Sequence, residues 1–295
     1  MEWTLKQMNE TKLGKMKLLP ILFLLLTSCS YFEKNEEKEH GDELPQELFE
    51  TFQTMHLDVE SGLDPVTGWP SINDCDSTLF AGLACSLNMP VKIEYAEYSP
   101  GEIHRRPYKA CWNEKEGDVG SKTTISRDML TGYIACALAR NDKPAMERLF
   151  EYGKRNEWIM GKPRFFVSRV LLTPNMIGTL GRFLNKEGYK QLPTSYSPVT
   201  EDYERHIQVQ GILNEYKVSG SISDSMLDRL KANKEAEPLD PLFSAAYGLF
   251  SGDQKETVNL LMETGKCPTY ARGEKPEVYC KLNWLQAASI VMGKK

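Results

Sequence analysis

Between Gly120 and Asp142 the chain reads GSKTTISRDMLTGYIACALARND, and this stretch constrains the fold more than any other. Met129, Leu130, Tyr133, Ile134, Ala137 and Leu138 recur at three- and four-residue spacing, which buries one face of an α-helix. Ala135, Cys136 and Ala139 widen that face with small side chains, so a partner helix can approach closely. Ser126 is placed to cap the helix and Asp128 to sit in its first turn, where the helix dipole favours an anion. Arg140-Asn141-Asp142 reads as a turn, and Pro144 suits the first turn of the next helix. Gly120 to Lys154 is therefore expected to be a helical hairpin entered through a polar loop.

A second stretch repeats the pattern. Leu242 to Phe250 is followed by Ser251-Gly252-Asp253 and then Thr257 to Met262, again small residues, a short turn with an aspartate, and a second helix. Other helices are expected over Gln46 to Met55, Ser77 to Leu87, Pro90 to Tyr98, Pro174 to Leu184, Tyr203 to Tyr216, Asp224 to Ala232 and Leu282 to Val291. Phe165 to Val167 and Val170 to Leu172 suit a short β-hairpin or a packed extended loop. Ser99 to Lys122 is a long irregular segment, of the kind that is functional or pinned by a disulfide. The fold class that follows is all-α: an array of αα-hairpins with long loops and at most one short β-hairpin.

The chain has 295 residues and a formal net charge of −5. That balance, with no basic helix interleaved with aromatics, gives no reason to expect nucleic acid as a partner. Near the start, Met16-Lys17 precedes an apolar run from Leu18 to Leu26, which ends in Leu26-Thr27-Ser28-Cys29. Positive charge, a short apolar core and small residues before a cleavage point mark an export signal, and the run is too short to span a membrane comfortably. It resembles the bacterial lipoprotein signal peptide with its lipobox. The resemblance implies cleavage before Cys29, lipidation of Cys29 and a membrane partner reached through that lipid. Ser30 is not the aspartate used for inner-membrane retention, so it also implies the outer membrane of the cell envelope. Residues 1–28 are then the signal peptide, with Met16 the more typical start. Residues 29–45 are a charged tether, and 46–295 one helical domain.

Beyond Cys29 there are cysteines at 75, 85, 111, 136, 267 and 280, and export permits disulfides. Cys267 and Cys280 flank one polar loop and make the best pair; Cys75 with Cys111 is the next. Cys85 and Cys136 fall on apolar helix faces and read as buried thiols.

Candidate chemistry collects just before helix starts. Asp74 and Asp76 precede an apolar helix, and Asp128 opens the central one. Paired carboxylates of this kind hydrolyse glycosidic bonds, one protonating the leaving oxygen and the other activating water; equally, Asp76 suits an N-cap. Arg127 beside Asp128 suits the wall of a pocket. Arg105 and Arg106 suit a bidentate grip on a carboxylate or acidic sugar, or equally an ordinary surface pair. Trp69 and Trp112 suit stacking on sugar faces, as does Trp158, although tryptophans also anchor cores. The histidines have no zinc-ligand spacing, and neither metal nor cofactor is expected.

Small-residue hairpins, polar loops gathered before helix starts and an early acidic motif resemble the α/α-toroid proteins. That fold is shared by many glycoside hydrolases and polysaccharide lyases. With fewer helices than the twelve of a full toroid, the array is expected to be an incomplete one. The resemblance implies a glycan-active hydrolase or lyase anchored in the envelope; the alternative is a non-catalytic lipoprotein that binds a glycan or protein through the same cleft.

Overall fold

Among the described residues, five helices are buried on most sides and five on one face only; that difference sorts them into an inner and an outer layer. The computed structural model describes residues 44–70, 76–105, 125–161, 170–264 and 277–293. The inner helices are α2 (Ser77–Ser86), α3 (Arg127–Ala139), α6 (Asp202–Ser219), α8 (Pro241–Ser251) and α10 (Glu277–Val291). Every residue of α2 from Ser77 to Cys85 is buried, and so is every residue of α3 from Met129 to Leu138. The central helix therefore buries its whole circumference, not the single face expected from its spacing. The outer helices are α1 (Gln46–Ser61), α4 (Lys143–Arg155), α5 (Pro174–Phe183), α7 (Asp224–Ala236) and α9 (Lys255–Thr264). In α4 only Ala145, Met146, Leu149, Phe150 and Gly153 are buried, one stripe at helical spacing.

The inner helices form a closed circuit: α2 packs on α3, α3 on α6, α6 on α8, α8 on α10, and α10 on α2. Outside it, α1 lies on α10 and α9, α4 on α3, α5 on α6, α7 on α6 and α8, and α9 on α8 and α10. Between α2 and α3 no long outer helix is present among the described residues. A 3-10 turn (Ile93–Ala96) rests on α2, and a two-stranded antiparallel hairpin follows, β1 (Glu97–Ser99) with β2 (Glu102–Ile103). The helix expected over Pro90 to Tyr98 is thus replaced by the 3-10 turn and β1. The fold is all-α with one short β-hairpin, though the hairpin lies at Glu97 to Ile103. Of the strand pair expected near Phe165 to Leu172, residues 162–169 lie outside the described residues, and Leu171 forms a single bridge with Ile159.

A buried carboxylate fastens that hairpin. Glu97 accepts from Arg148 Nε (2.9 Å) and Nη2 (2.6 Å) of α4, from the Tyr133 hydroxyl of α3 (2.7 Å), and from the Gly101 backbone (3.0 Å). Burial pushes its pKa up, but the four donors outweigh that and hold it below the ordinary glutamate range.

The α2–α3 contact is backbone to backbone. Gly82 and Gly132 let the two backbones touch, and one turn further along Cys85 and Cys136 join in a disulfide with Cα atoms 5.1 Å apart. These two cysteines are not the buried thiols expected of them. Each lies on the apolar face of its own helix, and only the packing of α2 on α3 makes them partners. Because Gly82 meets Gly132 and Cys85 meets Cys136, the two helices run parallel. Cys280 is also disulfide-bonded, to a cysteine outside the described residues. Cys29, Cys75, Cys111 and Cys267 lie outside them too, as do the signal peptide and most of the tether. No described helix is long and apolar enough to cross a membrane.

Candidate functional site at the mouth of the helix ring

Parallel inner helices place their N-termini at one end of the ring, and Tyr279, in the first turn of α10, is the point at which they meet. Phe80 of α2 packs edge-on against its ring at 5.7 Å, and His206 of α6 does so at 5.1 Å. His206 Nε2 lies 3.2 Å from Asn283 Oδ1, one turn further along α10. Burial pushes the Tyr279 hydroxyl well above the ordinary phenol range. The negative charges of Asp240, Asp128 and Asp202, from the starts of α8, α3 and α6, act in the same direction, and a hydrogen bond with Asn283 acts against them. One side chain thus senses the first turns of the other four inner helices.

Around this centre the rim is built from charged residues in pairs. Arg105 follows β2; its carbonyl accepts from the Thr78 backbone (2.9 Å) and the His104 carbonyl from the Thr78 hydroxyl (2.6 Å), which ties this segment to the first turn of α2. Arg105 Nη1 then donates to Asp76 at 3.2 Å and faces the Met129 sulfur at 3.7 Å. At the start of α3 the Ser126 hydroxyl donates to Asp128, and Arg127 reaches Glu204 of α6 at 3.5 Å. Neither Asp76 nor Ser126 caps its helix through its side chain. The capping expected of them gives way to Arg105 in one case and to Asp128 in the other.

The third cluster links α6 to the corner between α7 and α8. Arg205 Nη1 donates to Glu237 at 2.6 Å and to Asp202 at 3.2 Å. Burial raises the Glu237 carboxyl above its ordinary range, the adjacent Asp202 raises it further, and Arg205 opposes both. Asp240, three residues on, is a true cap: its carboxylate accepts from the backbone of Leu242 (2.9 Å) and Phe243 (3.4 Å).

Behind the rim the ring is closed by neutral amides. Gln210 of α6 donates to Gln286 of α10 at 2.5 Å, Gln286 donates to Ser86 of α2 at 3.4 Å, and Asn214 donates to the Thr131 carbonyl of α3 at 3.3 Å. This end of the ring is therefore built over hydrogen-bonded, buried side chains and, among the described residues, is rimmed by guanidinium–carboxylate pairs. Its side chains offer both donors and acceptors, and burial lifts the Glu237 carboxyl above the ordinary glutamate range.

Of the residues singled out from sequence, Asp76, Arg105, Arg127 and Asp128 come together here. Trp69 does not serve as a stacking platform: it is 3% exposed, and its indole N–H donates to the Lys92 carbonyl at 2.9 Å, so it is a core anchor. Trp158 packs edge-on against Phe150 and Tyr189 among the outer helices. Asp74, Arg106 and Trp112 lie outside the described residues. Sequence reasoning missed Asp202, Arg205, Glu237, Asp240, Tyr279 and Asn283. The signal that singled out Asp128, an acidic residue at a helix start, marks Asp202 and Asp240 equally; nothing local marks Glu237 or Tyr279.

Comparison of the chain with protein-family models, with curated proteins and with solved structures finds no match.

Proposed function

We propose that this chain is an exported lipoprotein, anchored by lipid on Cys29 in the bacterial cell envelope and favouring the outer membrane, whose ring mouth binds a glycan. The lipobox carries the first part. One observation carries the second: the mouth carboxylates marked in the sequence and described here are already engaged, Asp76 by Arg105 and Asp128 by Ser126. A carboxylate held this way orients ligand hydroxyls and is poorly placed to exchange a proton.

A second reading, a glycoside hydrolase or polysaccharide lyase, draws on Glu237. Its carboxyl, raised by burial, is suited to protonate a glycosidic oxygen.

The test is a reducing-end release assay run beside a binding assay, on peptidoglycan and a panel of bacterial polysaccharides. It compares the full chain with Asp128→Asn and Glu237→Gln. Binding without turnover, weakened by Arg105→Gln, is the expected result. Turnover that disappears in Glu237→Gln with the fold intact would move the protein to the enzyme class. Neither binding nor turnover on any glycan would sink both readings.

A further inference from the structure

We propose that the groove between α5 and α6 is a binding site for an extended peptide segment of a partner protein, which enters by displacing the chain's own residues 190–199.

The segment that joins α5 to α6 turns between Lys186 and Lys190 and then runs back along α5. Side chains of the two helices hold it by its main chain. Arg182, near the end of α5, donates through Nη1 to the carbonyls of Lys190 (2.9 Å) and Leu192 (3.3 Å). Asn175, at the start of α5, brackets Ser195: its Nδ2 donates to the Ser195 carbonyl (2.8 Å) and its Oδ1 accepts from the Ser195 N–H (3.1 Å). Gln208 of α6 donates to the Ser197 carbonyl. From Asn175 to Arg182 the helix rises about 10 Å, and the chain from Leu192 to Ser195 covers about that distance when extended. Extension also explains the exposure pattern. Leu192, Thr194 and Tyr196 are half-buried, while Gln191, Pro193, Ser195 and Ser197 are exposed. A ligand read at both the N–H and the C=O of one residue, and seated by every second side chain, is an extended polypeptide.

The groove is built independently of its occupant. Arg182 is fixed from the helix side through Nη2 on the buried Glu215 (2.6 Å), which also accepts from the Thr179 hydroxyl (2.8 Å). The seat for Tyr196 is made by Gly211 of α6, where an added Cβ would stand 2.7 Å from the tyrosine hydroxyl. Burial, and then the charge of Glu215, push that phenol up, against the opposing Arg182. Donors and seat are thus preorganised on two helices.

The occupant is held less firmly. Residues 190–199 include no fully buried residue. Among the described residues, the main chain of 193–200 bonds to side chains and to no other main chain. A segment of this kind opens at lower cost than the helices beneath it. It also leaves the buried Arg182 Nε without a hydrogen-bond partner among the described residues, and an incoming acceptor at that point would be rewarded. The seats favour leucine, a small residue and tyrosine at alternate positions. A second copy of the chain carries that pattern but must first vacate its own groove, so the occupant with the advantage is an unstructured segment of another protein.

The probe is a fluorescein-labelled synthetic peptide of residues 189–200, titrated into the full chain in detergent and read by fluorescence anisotropy beside a scrambled peptide. It should bind the wild-type chain. It should bind Tyr196→Ala, whose own segment has lost its anchor, roughly tenfold more tightly. Adding Gly211→Ala, which fills the tyrosine seat, should abolish that binding, with circular dichroism showing both variants folded. On the wild type, saturating peptide should speed hydrogen exchange at residues 191–197 and leave α5 and α6 protected; this readout needs no variant. Absence of specific binding to either chain would overturn the site. Binding confined to Tyr196→Ala, or binding to wild type with exchange at 191–197 unchanged, would overturn the displacement. A dimer of the chain that the peptide dissociates would give the groove to a second copy and overturn the partner.

Discussion

Gly82 and Gly132 meet backbone to backbone: a Cβ built on Gly82 would lie 2.2 Å from the Gly132 carbonyl carbon and oxygen. The obstruction is main chain of a buried helix, which cannot move aside as a flexible side chain does. Gly82→Ala should therefore cost at least the upper part of the ~1–3 kcal/mol typical of overpacking, despite alanine's better helix propensity. Urea denaturation monitored by circular dichroism measures it. A variant as stable as wild type would show that α2 and α3 do not approach so closely.

The Cys85–Cys136 disulfide closes a loop of 51 residues. The chain-entropy relation gives about 4 kcal/mol for that length. The double variant Cys85→Ala, Cys136→Ala should lose much of this. Both sulfurs belong to fully buried residues, so alkylation after mild reduction of the native protein should label neither cysteine, while labelling both after unfolding. Mass spectrometry of the alkylated peptides reads the difference.

Glu97 and Glu237 should titrate with opposite effects on stability. Glu97 lies below its ordinary pKa of 4.5. Its contribution is complete above that value and is lost as the pH falls through the folded-state pKa. Glu97→Gln should cost about 2–3 kcal/mol at pH 7, since it removes the charge that strengthens the bonds from Arg148, Tyr133 and Gly101. It should also flatten the acid limb of Tm against pH.

Glu237 lies above its ordinary value of 4.5, first through burial and then through Asp202. The folded state therefore holds its proton more tightly than the unfolded state. That contribution is complete below pH 4.5 and is lost as the pH rises through the folded-state pKa. Glu237→Gln, which keeps an acceptor for Arg205 and offers Asp202 a donor, should raise Tm at pH 7 and leave it nearly unchanged at pH 4. A lower Tm at pH 7 would mean that the Arg205–Glu237 ion pair outweighs the crowding of the two carboxylates.

Much of the helical frame was legible because periodicity is local. α2, α4, α5 and α8 begin within a residue or two of their sequence signals, with Pro144, Pro174 and Pro241 in first turns. The stretch from Pro90 to Tyr98 was misread because its conformation is set from outside. Glu97 must be extended to reach Arg148 and Tyr133, and Gly101, at φ +80, sits so close to Arg148 that no other residue fits. Similarly, Trp69 carries no sequence mark that separates a core anchor from a sugar platform. Of the site, Asp76, Arg105, Arg127 and Asp128 stood out because each lies near a helix start. Their meeting with Glu237, Tyr279 and Asn283 depends on the parallel order of α2, α3, α6, α8 and α10, which no window of sequence contains.

The circuit closes between elements from opposite ends of the sequence. Gln286 of α10 bonds Ser86 of α2, and Lys281 of α10 bonds Asp58 of α1 at 2.6 Å across 223 positions. Whatever order the other helices assemble in, α2 keeps an apolar flank in water until the fifteen-residue helix α10 has been delivered. Long-range closure of this kind slows folding and leaves early segments open to misassociation. It also leaves the ring open in a growing chain until α10 has been made.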